Sequence, residues 1–225
     1  MAPLSTVPAN PPPTALAWLW LRPRAVPDLL RAPELGPIVW QALIRDGILR
    51  HVWGEVAIPA DLPETPDVRA TAAWPLVPPR GVVGRAAAVW VHAGGPRPAR
   101  IDVLVPARAR RPDPHPQRVP HECALPAGDV VGVGPLRVTT IERTAVDVAR
   151  WTPAREAGPL LERLARRAGL DPRSALRTLD SLAGYRGTRH ARAALVAVPR
   201  TGRGPQPGET VLAPCSKSAR EPVSR

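Results

Sequence analysis

Four groups of residues have the types and spacing to do chemistry. His121-Glu122-Cys123 sets an imidazole, a carboxylate and a thiol in consecutive positions, the residue types of a metal site or an activated nucleophile. On a strand successive side chains alternate faces, so His121 and Cys123 share a side and Glu122 points away. Two ligands do not make a metal site, and His51, His92, His115 and His190 are scattered along the chain. No metal site and no cofactor is therefore expected. Gln41 and Arg45 lie about one turn apart in a short helical stretch, where Gln can read adenine and Arg guanine in the major groove of DNA. Arg50 and His51 follow in a hairpin that would meet phosphate or the minor groove. The competing reading is a solvated polar face. Arg186, Arg189, His190 and Arg192, beside Gly184 and Gly187, form a second basic cluster, suited to phosphate or to an acidic partner. An exposed Arg-rich helix face accounts for the same pattern.

The fourth group, Val138 to Arg150, carries the densest local information. Val138 closes an apolar segment, and Thr139 and Thr140 are both good N-caps. Thr139 with Glu142 three residues later has the spacing of a reciprocal capping box. Ile141, Thr144 or Ala145, and Val148 then share one helix face, while Arg143 and Asp147 stand one turn apart on another. An exposed pair of this kind contributes only about 0.3 to 0.5 kcal/mol, so the motif reads as structural. The glycines at 128, 132 and 134 lack the spacing of a dinucleotide fingerprint. Arg80 to Arg85 lacks the Lys-Ser/Thr of a phosphate-binding loop.

The elements that must position these groups follow from apolar period and punctuation. Pro37 to Arg45 repeats at helical spacing, with Pro37 suited to the first turn and Gly47 as the stop. Ile48 to Trp53 and Glu55 to Ile58, joined at Gly54, read as a tight hairpin. Helix then hairpin is the second half of a winged helix. Pro23, Pro27 and Pro33 crowd the stretch before it, so the first helix is expected to be shortened or missing. Further helices are expected at Val68 to Trp74, Arg85 to His92, Ile141 to Trp151, Ala154 to Ala168, Pro172 to Leu182 and about Thr188 to Val198. Ile101 to Val105, Arg118 to Ala124 and Val130 to Val138 read as strands. No internal repeat occurs at a solenoid period.

The fold class expected from this pattern is α+β: a degenerate N-terminal winged helix, then a small mixed α/β domain ending in a helical segment. The domain boundaries are a disordered leader over 1–15, a winged-helix-like unit over 16–62, an α/β domain over 63–199 and a disordered tail over 200–225.

Composition sets outer bounds on function. The 225 residues carry 31 Lys plus Arg against 19 Asp plus Glu, a net charge of +12, which points towards nucleic acid. The chain has no Phe, one Tyr, 32 Pro and a single Lys, Lys217, so part of the arginine excess reads as GC-rich coding bias. The distribution is more telling, because Arg150 to Arg203 holds 12 Arg against four acids, a local +8. With two cysteines, Cys123 and Cys215, no disulfide framework is expected. Leu16 to Leu21 is apolar but too short to span a bilayer and lacks a signal-peptide pattern, so a cytoplasmic protein with no membrane association is expected.

Four pieces in order resemble the antitoxin-like regulators of the AbiEi type, from type IV toxin-antitoxin systems. They are Asp46 to Pro59, Gly84 to Gly94, Ile101 to Pro106 and Val138 to Arg150, within a stretch spanning residues 37 to 198. The resemblance implies a non-enzymatic transcriptional regulator that binds operator DNA. It also implies a C-terminal domain that neutralises a toxin, a nucleotidyltransferase-like protein encoded nearby, for which the Arg186 to Arg192 cluster is a candidate surface. Some relatives continue into a Vsr-like endonuclease domain, whose metal site needs carboxylates and a Glu-x-Lys. Here the single Lys falls in Ser216-Lys217-Ser218, so that domain is expected to be missing. The alternative implied is an orphan relic of a nuclease-fused protein, with no toxin partner and no catalytic activity.

Overall fold

The computed structural model describes residues 29–106, 112–182 and 185–199. The expected leader, the expected tail, Leu16 to Leu21, Gly184 and Cys215 lie outside the described residues. The structure is α+β, and the chain divides into two compact units between Glu64 and Thr65.

The first unit is small. A two-residue strand β1 (Leu30–Arg31) leads into a single helical turn α1 (Ala32–Leu35) and then α2 (Pro37–Arg45). The hairpin β2 (Leu49–Trp53) and β3 (Val56–Pro59) completes an antiparallel sheet in the order β1-β3-β2. Pro37 occupies the first turn of α2, where its missing N–H costs nothing. One buried cluster is Leu30, Trp40, Leu49 and Ala57, closed by Leu35, Leu43 and Ile44. Val52, Trp53, Val56 and Ile58 of the hairpin are buried as well.

The second unit opens with α3 (Pro66–Ala73), capped by the Thr65 hydroxyl accepting from the Val68 N–H. Then come β4 (Val82–Val83), α4 (Arg85–Ala93), β5 (Ile101–Val105) and β6 (Arg118–Glu122). Next are β7 (Val130–Val133), β8 (Leu136–Thr139) and α5 (Ile141–Trp151). Three more helices follow, α6 (Ala154–Ala168), α7 (Pro172–Asp180) and α8 (Thr188–Val196). The five strands pair in the order β6-β5-β4-β8-β7. The β4/β8 and β5/β6 pairs are parallel, and the others antiparallel. Because β6 and β7 are opposite edges, the segment from Cys123 to Asp129 has to travel from one edge of the sheet to the other.

One core cluster of this unit is helical. Val146, Ala149, Leu161, Leu164, Leu179 and Leu195 are at most about a hundredth exposed and draw α5, α6, α7 and α8 together. Small residues allow close helix approach here, and the core uses Val, Leu and Ala where another protein would place Phe. Gly84 sits where β4 passes β5. A Cβ there would lie 2.7 Å from two Leu104 side-chain carbons, so only glycine permits that approach.

Two local expectations are corrected. The stretch Val130 to Val138 is two strands, broken by a turn in which Gly134 takes φ 49°. An apolar run alone conceals such a turn; Gly134-Pro135 was the cue. The N-cap of α5 is Thr140, whose hydroxyl accepts from the Arg143 N–H at 3.2 Å, and the expected capping box between Thr139 and Glu142 is not formed. Thr139 belongs to β8, and its buried hydroxyl lies 2.6 Å from that of Thr144.

Candidate nucleic-acid interface

In the first unit, α2 presents Ile38, Gln41 and Arg45 on one outward face, at the i, i+3, i+7 spacing of a helical stripe. Ile38 is 85% exposed, an unusual position for so large an apolar side chain. Arg45 Nε donates to Asp46 Oδ1 at 2.9 Å in a pair open to solvent. Such a pair holds its charge loosely and can exchange partners. The hairpin residues are differently engaged. Arg50 Nη2 donates to the Leu62 carbonyl at 2.5 Å. His51 Nε2 donates to the Gly54 carbonyl at 2.6 Å, and its ring meets the edge of Trp40 at 6.3 Å. Thus Gln41 and Arg45 share a face, while Arg50 and His51 are both exposed but tied into the hairpin that carries them.

The second unit holds a polar cluster whose depth was not expected. The Arg143 to Asp147 pair, read from sequence as exposed, is buried: the side chains are 2% and 3% exposed and Nε donates to Oδ2 at 3.0 Å. Arg143 Nη1 reaches Asp129 Oδ2 at 2.5 Å, and Nη2 lies 3.0 Å from Cys123 Sγ. One guanidinium therefore grips both ends of the Cys123 to Asp129 segment. The i, i+4 spacing is local, but the crossing segment that covers it is a product of sheet order. Burial works against the Arg143 charge, but Asp147 and Asp129 outweigh it and hold the group above its ordinary range. Burial pushes the Asp147 carboxyl up, against the pull of Arg143. Among the described residues no buried side-chain nitrogen or oxygen lacks a hydrogen-bond partner. Burial also pushes the Cys123 thiol up, with Arg143 pulling the other way, so this thiol is a poor nucleophile.

A second row of polar groups runs alongside. His121 Nε2 is 2.7 Å from Asp102 Oδ1, and Arg85 Nη1 is 3.3 Å from the same nitrogen. The Arg85 guanidinium carbon lies 5.4 Å from the centre of the Trp151 ring, and that of Arg150 lies 4.9 Å from it. Sequence reading missed Asp102 and Arg85. A carboxylate inside the apolar strand Ile101-Asp102-Val103-Leu104-Val105 was the available signal, since only a partner makes it tolerable there. Glu122 is exposed on the opposite side from His121, as strand alternation requires. Among the described residues no group of three His, Cys, Asp or Glu side chains is placed to hold a metal ion.

The C-terminal basic cluster does not act as one body of charge. Arg186 and Arg189 are exposed, whereas Arg192 is paired with Asp180. The Arg186 carbonyl accepts two bonds from Arg150, at 3.1 and 2.9 Å, which ties the start of α8 to the end of α5. No helix among the described residues is long and apolar enough to cross a membrane.

No family model matches the chain, and no curated protein does. Among solved structures it is similar to the RV2827C protein from Mycobacterium tuberculosis, at 16% identity over 78% of each chain, with a TM-score of 0.32. A likeness of that degree carries no argument about fold or function.

Proposed function

We propose that this protein is a non-enzymatic DNA-binding regulator of the antitoxin type, whose first unit works as a winged helix. The observation that carries the reading is the outward stripe Ile38, Gln41 and Arg45 on α2, followed directly by the β2–β3 hairpin in a β1-β3-β2 sheet. A helix with one apolar, one amide and one guanidinium side chain on its free face offers contacts for a thymine methyl, adenine and guanine. The hairpin behind it supplies Arg50 and His51 as the wing. The excess of arginine supports the same reading, because affinity for duplex DNA is dominated by phosphate contacts. The antitoxin role, with a nucleotidyltransferase-like toxin as partner, rests on the resemblance in motif order.

Fluorescence anisotropy of a labelled duplex is the test. Binding should weaken with salt at a log-log slope of about 0.9 for each phosphate contacted. Arg45→Ala with Arg50→Ala should lower affinity while stability stays within about 0.5 kcal/mol, as exposed substitutions usually do. Absence of binding at low salt, or a flat salt dependence, overturns the proposal.

A further inference from the structure

We propose that Arg85 and Arg150, set around the ring of Trp151, form a phosphate-oxyanion site built from residues of the second unit and independent of the function proposed for α2. Three arginines, Arg143, Arg85 and Arg150, stand with three carboxylates, Asp147, Asp129 and Asp102, but the direct ion pairs are unevenly distributed. Arg143 is held by Asp147 and Asp129, and Asp102 is held by His121. Among the described residues Arg85 and Arg150 take part in no ion pair. The guanidinium of Arg150 meets a neutral acceptor, the Arg186 carbonyl. Asp147 is hydrogen-bonded by Arg143 alone among the described residues, although both other guanidiniums act on it at longer range. Two guanidiniums beside one indole are left without a direct ion pair.

With its Nε2 hydrogen committed to Asp102, His121 offers Arg85 Nη1 no acceptor at 3.3 Å, because two N–H groups cannot satisfy each other. Arg85 is held there at a backbone cost. Among the described residues it is the one non-glycine residue with positive φ, 51°, a strained conformation that persists only when its surroundings impose it. Trp151 is 43% exposed, and the guanidinium carbons of Arg85 and Arg150 lie 5.4 and 4.9 Å from its ring centre, within cation–π range. The Arg85 guanidinium, which pairs with no carboxylate, and the Arg150 donors that the Arg186 carbonyl leaves unused suit the oxygens of a phosphate group. That phosphate belongs either to a small phosphorylated molecule or to a nucleic-acid backbone.

Calorimetric titration of the full chain with inorganic phosphate, at ionic strength fixed with chloride, tests the site. Saturable binding is expected, weakened at least tenfold by Arg85→Gln with Arg150→Gln and unaffected by Arg45→Ala with Arg50→Ala. As a local readout that does not need the glutamine variant to fold, phosphate should change the intrinsic tryptophan fluorescence, and Trp151→Phe should abolish that change. A twelve-nucleotide oligothymidylate then separates the two sources. Competition with phosphate assigns the site to a nucleic-acid backbone, and failure to compete assigns it to a small phosphorylated ligand. Phosphate that does not saturate, a glutamine pair that binds as tightly as the native protein, or a fluorescence change that survives in Trp151→Phe overturns the proposal. The Arg45 and Arg50 variant keeps this result distinct from that for the α2 face.

Discussion

Arg143 Nε donates to Asp147 Oδ2 at 3.0 Å with both side chains buried, and the same guanidinium reaches Asp129, which lies fourteen residues earlier and ahead of β7. The pair is thus a clamp between α5 and the segment that crosses the sheet. Removing one partner of a buried ion pair costs about 3 to 5 kcal/mol, because the other charge is left uncompensated. Arg143→Met should lose about that much, measured by urea unfolding. Arg143→Met with Asp147→Leu should lose less than either single change predicts by addition. Additive losses, each within about 0.5 kcal/mol as for exposed sites, would show that the clamp contributes nothing.

The two neighbouring threonines should separate cleanly. Thr140 caps α5, so Thr140→Ala should cost about 1 kcal/mol and Thr140→Ser almost none. Thr139 is buried against Thr144, so Thr139→Val should cost about 1 to 3 kcal/mol by leaving a buried hydroxyl without one of its partners. Chemical denaturation of the three variants reads the difference. Equal losses for Thr140→Ala and Thr140→Ser would remove the capping role.

His92 gives the second unit a pH dependence. Burial lowers its pKa, although its Nε2 hydrogen bond to the Thr139 carbonyl at 2.7 Å pulls the other way. The unfolded chain therefore binds the proton more readily than the folded one. The stabilising contribution is complete above the unfolded value of about 6.5 and is lost as pH falls through the lower folded value. Thermal melts should show the midpoint falling below about pH 6.5, and His92→Gln, which keeps a donor for Thr139, should flatten that slope. An unchanged slope in the variant would place the acid sensitivity elsewhere.

The backbone at Arg85 can be examined apart from its side chain. At φ 51°, glycine is free of the steric cost that any Cβ incurs. Arg85→Gly should therefore be about 1 kcal/mol more stable than Arg85→Ala, the reverse of their order in an ordinary helix. Urea denaturation of the two variants decides it; alanine proving the more stable would mean that the residue relaxes to an ordinary helical start.

Much of the local structure was legible in the sequence. Ile101 to Val105, Ile141 to Trp151 and Ala154 to Ala168 are the elements their patterns describe, because apolar period, caps and glycine or proline punctuation act over a few residues. Gln41 and Arg45 share an outward face for the same reason: a helix of 3.6 residues per turn sets the angle between them wherever it lies. The break at Gly134 and the cap at Thr140 were local exceptions, the first because a hairpin and a single long strand share one apolar pattern there.

What the chain alone left open depended on which distant segments come together. The i, i+4 spacing of Arg143 and Asp147 is the same on a solvated helix as on a buried one, and only the passage of Cys123 to Asp129 between opposite edges of the sheet covers it. Asp102 and His121 are nineteen residues apart and meet because β5 and β6 pair in parallel, with Leu104 opposite His121. Arg85 and Trp151 approach because α4 packs on α5, although 66 positions separate them in the chain. Secondary structure is dictated by short-range sterics and hydrogen bonding, which the sequence states directly. Burial, and with it the energy of every charge in this cluster, is a property of the packed whole, and only the tertiary structure decides it.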